Sequence, residues 1–321
     1  MTAKEMQGLA DAALLAAVTT GSVLGASALV SASWTRRSPV AAILLWQALG
    51  LAAGLAAVGT LIGLGMPGSR IGLVRAVLGL GAVSRIGAVL PAVFGADSVS
   101  ATVVAGARLA CLAAGLALFA LLCWVLVAAS ATAFAARRRQ RALLRLLAHG
   151  DPKVPGALVV DYPAAAAYCL PGLRSQIVVS VGTLELLGPA ELAAVLAHER
   201  AHLRERHDLV LLPFSALRRA FPRSATCGQA QRSVALLVEM LADDRALRAR
   251  PARELVSALV RFGTAGARPA PAGTLAVGEG EVAARVARLL HPVRPLPPAA
   301  FAAICAAAAL LVATPVTLLI L

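Results

Sequence analysis

Apolar residues in this chain fall in long blocks rather than in short alternating runs. Three blocks, residues 12–33, 40–63 and 101–133, are long enough to cross the roughly 30 Å hydrocarbon layer of a bilayer as helices. A fourth block, residues 298–321, ends the sequence, and 59% of all residues are hydrophobic, well above the level of a soluble domain. The pattern predicts a mainly α membrane protein with four transmembrane helices.

A further apolar stretch, residues 69–95, contains Arg70, Arg75 and Arg85. An arginine near the bilayer centre costs at least about 2.5 kcal/mol, which favours an interfacial or re-entrant segment over a fifth span. We therefore expect residues 1–135 to form a membrane domain with three transmembrane helices, a fifth span being the alternative.

Positive charge indicates which side of the membrane the remaining chain occupies. Arg36 and Arg37 follow the first block, and Arg137, Arg138, Arg139, Arg141 and Arg145 follow the third. Basic residues that flank spans stay in the cytoplasm, so residues 136–297 are expected to form a cytoplasmic domain of a multi-pass plasma-membrane protein. Contact with lipid headgroups accounts for the formal net charge of +14, and with 4% aromatic residues direct nucleic-acid binding is not expected.

Residues 136–297 mix helix-like and strand-like patterns, which predicts an α+β domain between the third and fourth spans. Residues 157–161 and 176–180 predict short strands, and residues 167–172 predict a turn between them. A strand shortly before a metal-binding helix can hold an extended peptide by adding it to the sheet. We expect such an edge strand for substrate, with plain structural pairing as the alternative, at Ile177, Val178, Val179 and Ser180.

The most specific pattern is an H-E-x-x-H motif, His198-Glu199-Arg200-Ala201-His202, in a helix predicted over residues 189–206. Two histidines four apart share one helix face, about 6 Å apart along the axis, so both rings can reach one tetrahedral zinc ion. Glu199 lies beside that face, where its carboxylate can accept a proton from an activated water molecule. Histidines that bind the ion and a glutamate that acts as the base are typical of a zinc metallopeptidase.

A tetrahedral site of this kind needs a third protein ligand. Glu239 lies in the middle of an otherwise apolar helix predicted over residues 233–250, which is costly unless its carboxylate is paired or binds metal. We expect Glu239 to be that ligand, with pairing to a basic neighbour as the alternative. Asp243, one turn further on, is expected to orient a histidine through the ring nitrogen that does not bind metal.

Three neighbouring residues are expected to have other roles. His207 stands nine residues after His198, but Arg204 occupies the position where a three-histidine site needs glycine, so His207 is expected not to be a ligand. Asp244 and Arg245 are expected to face outward or to form salt bridges.

The chain resembles the BlaR/MecR family of integral-membrane zinc peptidases, also in placing the zinc segment between the third and fourth of four spans. The likeness is carried by residues 168–172, 177–180, 192–202 and 206–208, and by Glu239 with Asp243. It implies a zincin-like (gluzincin) domain in which one Zn²⁺ ion is held by three ligands. The residues it assigns are His198, His202 and Glu239 as ligands, Glu199 as the base and Asp243 as a support for the ligands.

The resemblance also implies a function, the hydrolysis of a protein or peptide substrate. The expected role is regulatory cleavage of a cytoplasmic BlaI/MecI-type repressor, that is, signal transduction. Antibiotic-sensing members carry an extracellular penicillin-binding domain after the fourth span, and since the sequence ends at Leu321 we expect that sensor to be absent. Two alternatives stay open: a quality-control peptidase of the HtpX/Ste24 type, and a non-catalytic membrane scaffold that keeps the metal site.

Overall fold

The computed structural model describes residues 3–66, 99–265 and 279–320, apart from residues 153, 173 and 292. The predicted interfacial segment, residues 69–95, lies outside the described residues. In chain order the helices are α1 (Ala3–Ser31), α2 (Pro39–Gly65), α3 (Val99–Leu147), α4 (Val181–Leu186), α5 (Pro189–Arg204), α6 (His207–Ala220), α7 (Ala225–Ala246), α8 (Ala252–Thr264), α9 (Glu279–Leu290) and α10 (Pro298–Ile320). A short 3-10 helix, Ser33–Arg36, follows α1, and the strands are β1 (Ala148–Gly150), β2 (Ala157–Val160), β3 (Ala167–Leu170) and β4 (Gln176–Ser180).

Four of the described helices, α1, α2, α3 and α10, are long and apolar enough to cross a membrane. They indicate a multi-pass membrane protein and correspond to the four apolar blocks of the sequence. The helix α3 has 49 residues, a length of about 74 Å at 1.5 Å per residue. It therefore extends well past the predicted third span and continues through the arginine cluster as one helix.

Two compact units make up the chain, and the first contains Met1–Ala32, Leu44–Val125 and Pro297–Leu321. Small residues allow its helices to approach closely. A Cβ added at Gly59 of α2 would lie 2.9 Å from side-chain atoms of both Leu15 and Leu319, so glycine is needed where these helices meet. The apolar core beside it contains Val58, Ile62, Leu112 and Leu319.

The second unit contains Ser33–Ile43 and Leu126–Leu296, and its centre is a four-stranded sheet in the order β1-β2-β4-β3. β1 pairs with β2 and β3 with β4 in antiparallel fashion, whereas β2 and β4 run parallel. One face of the sheet packs on α5. The buried core between them includes Val159, Ile177, Val179, Leu192, Val195 and Leu196.

Two sequence predictions for this sheet are wrong. Residues 167–170 form the strand β3 rather than part of a turn, and β4 has a neighbour on each side, so Ile177 to Ser180 is not an edge strand. The side chains of β4 explain its interior position, because Ile177, Val178 and Val179 are buried although they point alternately to both faces. A continuous run of buried β-branched residues is typical of an interior strand. Among the described residues, β3 is the edge strand on this side of the sheet.

Candidate metal centre

The helix α5 carries the H-E-x-x-H motif in its second half. It begins with Pro189 in its first turn, and the Gly188 N–H donates to Glu191 Oε2 at 2.8 Å, which closes the first turn of the helix. His198 is buried, and His202 lies one turn further on the same face. The apolar side of α5 fixes the helix against the sheet, so the two imidazoles have defined positions.

Glu239 comes from α7, which packs against both α5 and α6. Ser224 caps the start of this helix, and its Oγ accepts a hydrogen bond from the Cys227 N–H at 3.2 Å. Glu239 lies near its middle, with 24% of its side chain exposed. Its carboxylate therefore faces the histidines of α5 from the neighbouring helix.

The three side chains converge on one point. The Nε2 atoms of His198 and His202 are 3.0 Å apart. Glu239 Oε2 lies 3.3 Å from His198 Nε2, and Glu239 Oε1 lies 3.5 Å from His202 Nε2. Of the described residues, these three form the group that could hold a metal ion.

The spacing fits a tetrahedral ion. Ligand atoms about 2.0–2.1 Å from a tetrahedral zinc ion are roughly 3.3 Å from one another, close to the separations found here. Burial lowers the pKa of His202 to about 3, so its ring is neutral, as a metal ligand must be. Two imidazole nitrogens and one carboxylate oxygen are also a ligand set that divalent zinc accepts.

His198 is held from its other side by Asp243, which is 1% exposed. Asp243 Oδ1 lies 2.9 Å from His198 Nδ1, within hydrogen-bonding distance although the N–H is not well aligned. Burial opposes the charged form of His198, but Asp243 and Glu239 outweigh it and raise the pKa to about 10. At this pKa both ring nitrogens of metal-free His198 carry a proton near pH 7, so a metal ion that binds Nε2 would displace the proton there, while Nδ1 keeps its proton towards Asp243.

Arg285 of α9 is a part of the site that the sequence analysis did not find. Its guanidinium donates to both oxygens of Asp243, at 2.9 and 2.7 Å, and Nη1 lies 2.9 Å from Glu239 Oε2. Glu239 therefore pairs with a basic neighbour and also lies beside the two histidines. The chain has 30 Lys and Arg residues, and no sequence pattern distinguishes Arg285 from the others.

Glu199 lies beside the three converging side chains and next to Cys169 of β3. Burial raises the pKa of Glu199 to about 7, and the nearby Glu239 carboxylate acts in the same direction. The Cys169 thiol is hydrogen-bonded to Glu199, and its own pKa is raised by burial and by this carboxylate. The contact places β3, the edge strand of the sheet in the part of the chain that the structure describes, against the motif helix at Glu199.

His207 lies behind His202 rather than among the three converging side chains. Arg206 adopts a left-handed conformation with φ of 51°, which turns the chain between α5 and α6 and brings His207 back towards the motif helix. His207 Nε2 is 3.5 Å from Glu205 Oε2, and Glu205 is paired with Arg245. Asp244 pairs with Arg288, so Asp244 and Arg245 form salt bridges as expected.

Ser180, which was expected in the substrate strand, has a structural role. Its Oγ donates to the Ala164 carbonyl at 2.8 Å and accepts from the Ala166 and Thr183 N–H groups at 2.9 and 3.2 Å. The residue is 1% exposed. These bonds cap α4 and fix the loop before β3, so the Ser180 hydroxyl is not open to a substrate.

Residues 118–246 match the sequence model of peptidase family M48. The matched segment runs from within α3 to the end of α7, so it includes His198, Glu199, His202 and Glu239 and leaves out Arg285. M48 is a metallopeptidase family, and the match supports a metallopeptidase, a hydrolase of peptide bonds. No curated protein and no solved structure matches the chain. The finer likeness to the BlaR/MecR type stays a prediction.

Proposed function

We propose that this chain is a membrane-embedded, zinc-dependent endopeptidase. The observation that carries the proposal is the convergence of His198, His202 and Glu239 from two helices within a segment similar to M48 peptidases. Zn²⁺ is the proposed ion because the ligand set and the spacing suit a tetrahedral site with one position left for water.

In the proposed reaction, Glu199 is the general base. Zinc, when bound, supplies Lewis-acid activation of a water molecule and of the scissile carbonyl. The Glu199 carboxylate accepts the proton of the attacking water and then donates it to the nitrogen of the leaving amine. Without a metal ion, burial raises the pKa of Glu199 to about 7, and a bound Zn²⁺ ion nearby would favour the carboxylate form that the first step needs. Asp243 keeps the His198 ring oriented throughout.

The substrate peptide is proposed to bind along β3. The Ser180 N–H donates to the Ala166 carbonyl at 2.8 Å, which marks these two residues as a hydrogen-bonded pair of the antiparallel ladder. Hydrogen-bonded and non-hydrogen-bonded pairs alternate along such a ladder. Ala167 and Cys169 therefore belong to non-hydrogen-bonded pairs, and their backbone N–H and C=O groups point away from β4. A peptide added there would pass next to Glu199, which Cys169 contacts.

The proposed layout is a membrane domain at residues 1–135, a peptidase domain at residues 136–297 and a last span at residues 298–321. The peptidase domain is proposed to be cytoplasmic in the plasma membrane, because the arginine cluster of α3 follows its most apolar part.

Regulatory cleavage of a cytoplasmic BlaI/MecI-type repressor is the proposed biological role. It is supported by the resemblance of the motifs and by a site that would face the cytoplasm. Quality control of membrane proteins, as in HtpX/Ste24-type peptidases, is the alternative function, and the M48 match, which supports a metallopeptidase, does not favour the regulatory role over it. A non-catalytic scaffold is the remaining alternative.

The experiment that separates these functions compares cells that express the wild-type chain or Glu199→Gln, with new protein N-termini identified by mass spectrometry. A single cleavage site in a small repressor supports the regulatory role. Many sites in misfolded membrane proteins support quality control. If no N-terminus depends on Glu199, and the purified wild-type protein cleaves neither a repressor nor unfolded casein, the peptidase proposal is wrong.

A further inference from the structure

Arg285 occupies an unusual position, because it is 5% exposed and lies on a helix outside the matched residues 118–246. Burying a guanidinium is costly unless its N–H groups are paired. Arg285 meets this condition with Nε and Nη2 on Asp243 and with Nη1 on Glu239. Every partner in these contacts belongs to the candidate metal centre.

Both carboxylates that Arg285 holds also contact His198. Asp243 Oδ1 lies 2.7 Å from Arg285 Nη2 and 2.9 Å from His198 Nδ1. Glu239 Oε2 lies 2.9 Å from Arg285 Nη1 and 3.3 Å from His198 Nε2. Because a guanidinium is planar and rigid, it sets the distance and the angle between the two carboxylates.

Attachment of α9 to α7 does not by itself require Arg285. One turn further along α9, Arg288 makes a two-pronged pair with Asp244, at 2.6 and 2.8 Å, and its Nε donates to the Arg36 carbonyl at 2.9 Å. Arg37 Nε donates to the Arg294 carbonyl at 3.0 Å. In addition, Leu289 packs in an apolar cluster with residues of α5, α7 and α8. These contacts already fix the helix.

We propose that Arg285 is a positioning residue of the metal centre, which holds Glu239 and Asp243 in the arrangement that lets Glu239, His198 and His202 bind one ion together. This inference rests on the metal site of the proposed function, but not on peptidase activity. Two effects of Arg285 oppose each other, since its positive charge repels a cation whereas its hydrogen bonds order two ligand-supporting carboxylates. A positioning role means that the second effect is the larger.

The test measures metal binding by the full chain in detergent micelles. Zn²⁺ affinity is measured by competition with a chromophoric chelator, and the ligand geometry is read from the visible absorption of bound Co²⁺. We expect Arg285→Met to weaken Zn²⁺ binding about 10- to 100-fold, the usual effect of losing a residue that orients ligands, and to change the Co²⁺ spectrum. Arg285→Lys, which keeps the charge but not the fork, should recover only part of the affinity.

Arg288→Met is the matched control, because it removes the neighbouring arginine and its carboxylate pair from the same helix. It should lower the thermal unfolding midpoint and leave the Co²⁺ spectrum and the Zn²⁺ affinity close to those of the wild type. Equal losses of metal in the Arg285 and Arg288 variants would show that only helix attachment matters and would overturn the inference.

Unchanged or tighter Zn²⁺ binding in Arg285→Met would also overturn it, since that result is expected if the arginine acts only by its charge. If Arg285→Met does not fold, Arg285→Lys decides: weaker binding with a changed spectrum supports the inference, and wild-type behaviour overturns it. A wild-type chain that binds no metal would overturn the proposed function together with this inference. A wild-type chain that binds Zn²⁺, with unchanged or tighter binding in Arg285→Met, would overturn this inference alone.

Discussion

The Nδ1 atoms of His207 and His202 lie 2.9 Å apart, with the two rings nearly perpendicular at 88°. One of the two nitrogens must donate and the other accept. Burial keeps the pKa of His207 below its usual value, so the ring is neutral near pH 7. When His202 is the donor, its Nε2 has a free lone pair directed at Glu239 and His198. In that arrangement His207 would favour the tautomer of His202 that can bind a metal ion.

His207→Ala is expected to weaken Zn²⁺ binding about 10- to 100-fold, because His202 loses the acceptor that fixes its tautomer. The measurement is chelator competition on the purified protein. His149→Ala, which removes an exposed histidine of β1, is the control and should bind Zn²⁺ as the wild type does. Affinity unchanged in His207→Ala would contradict the orienting role.

Glu199→Gln is expected to retain Zn²⁺ and to lose peptide cleavage about 10²- to 10⁴-fold, the usual contribution of a general base. The amide has nearly the same shape but cannot accept the proton of water. Turnover of a repressor or casein substrate and zinc content by elemental analysis are measured on the same sample. Glu185→Gln, which changes an exposed glutamate of α4, should cleave normally. Wild-type turnover in Glu199→Gln would rule out the proposed base.

Zinc is expected to stabilise the folded protein, by about 2.7 kcal/mol when free zinc is 100 times its dissociation constant. This increment should appear as a rise in the thermal unfolding midpoint when zinc is added back after chelation. His202→Ala and Glu239→Gln should lose it, because each removes one of the three converging ligand atoms. His291→Ala, at an exposed position after α9, should keep it. A zinc-dependent rise that survives in both ligand variants would place the metal elsewhere.

Local periodicity was sufficient to predict the four apolar helices and the motif helix. Each apolar block is read from its own residues, and His198 and His202 share a face through helix geometry alone. Glu239 could also be found, because a carboxylate within an apolar run is costly without a partner. These predictions needed no knowledge of how the elements pack.

The strand order could not be predicted in this way. β3 has only four residues, and the adjacent Pro171 and Gly172 favour a turn. The interior position of β4 results from its parallel pairing with β2, a contact between chain segments that no local pattern encodes.

The partners that support the metal centre were missed for a similar reason. Arg285 lies 42 residues from Asp243 in the sequence, and the likewise distant Cys169 reaches Glu199 only because the sheet packs on α5. Tertiary packing alone makes them neighbours. A buried acid such as Asp243 indicates that a base must be near, but it does not indicate which one.

The edge of β3 that faces away from β4 allows a test of substrate binding that keeps the metal centre intact. Ala167→Pro removes an N–H group that points away from β4, so the sheet should fold normally while KM for a peptide rises about 2- to 10-fold, the net value of one hydrogen bond. Tyr168→Pro, one residue on, removes an N–H group that faces β4 and should lower the thermal unfolding midpoint instead. If Ala167→Pro leaves KM unchanged, the substrate does not pair with β3.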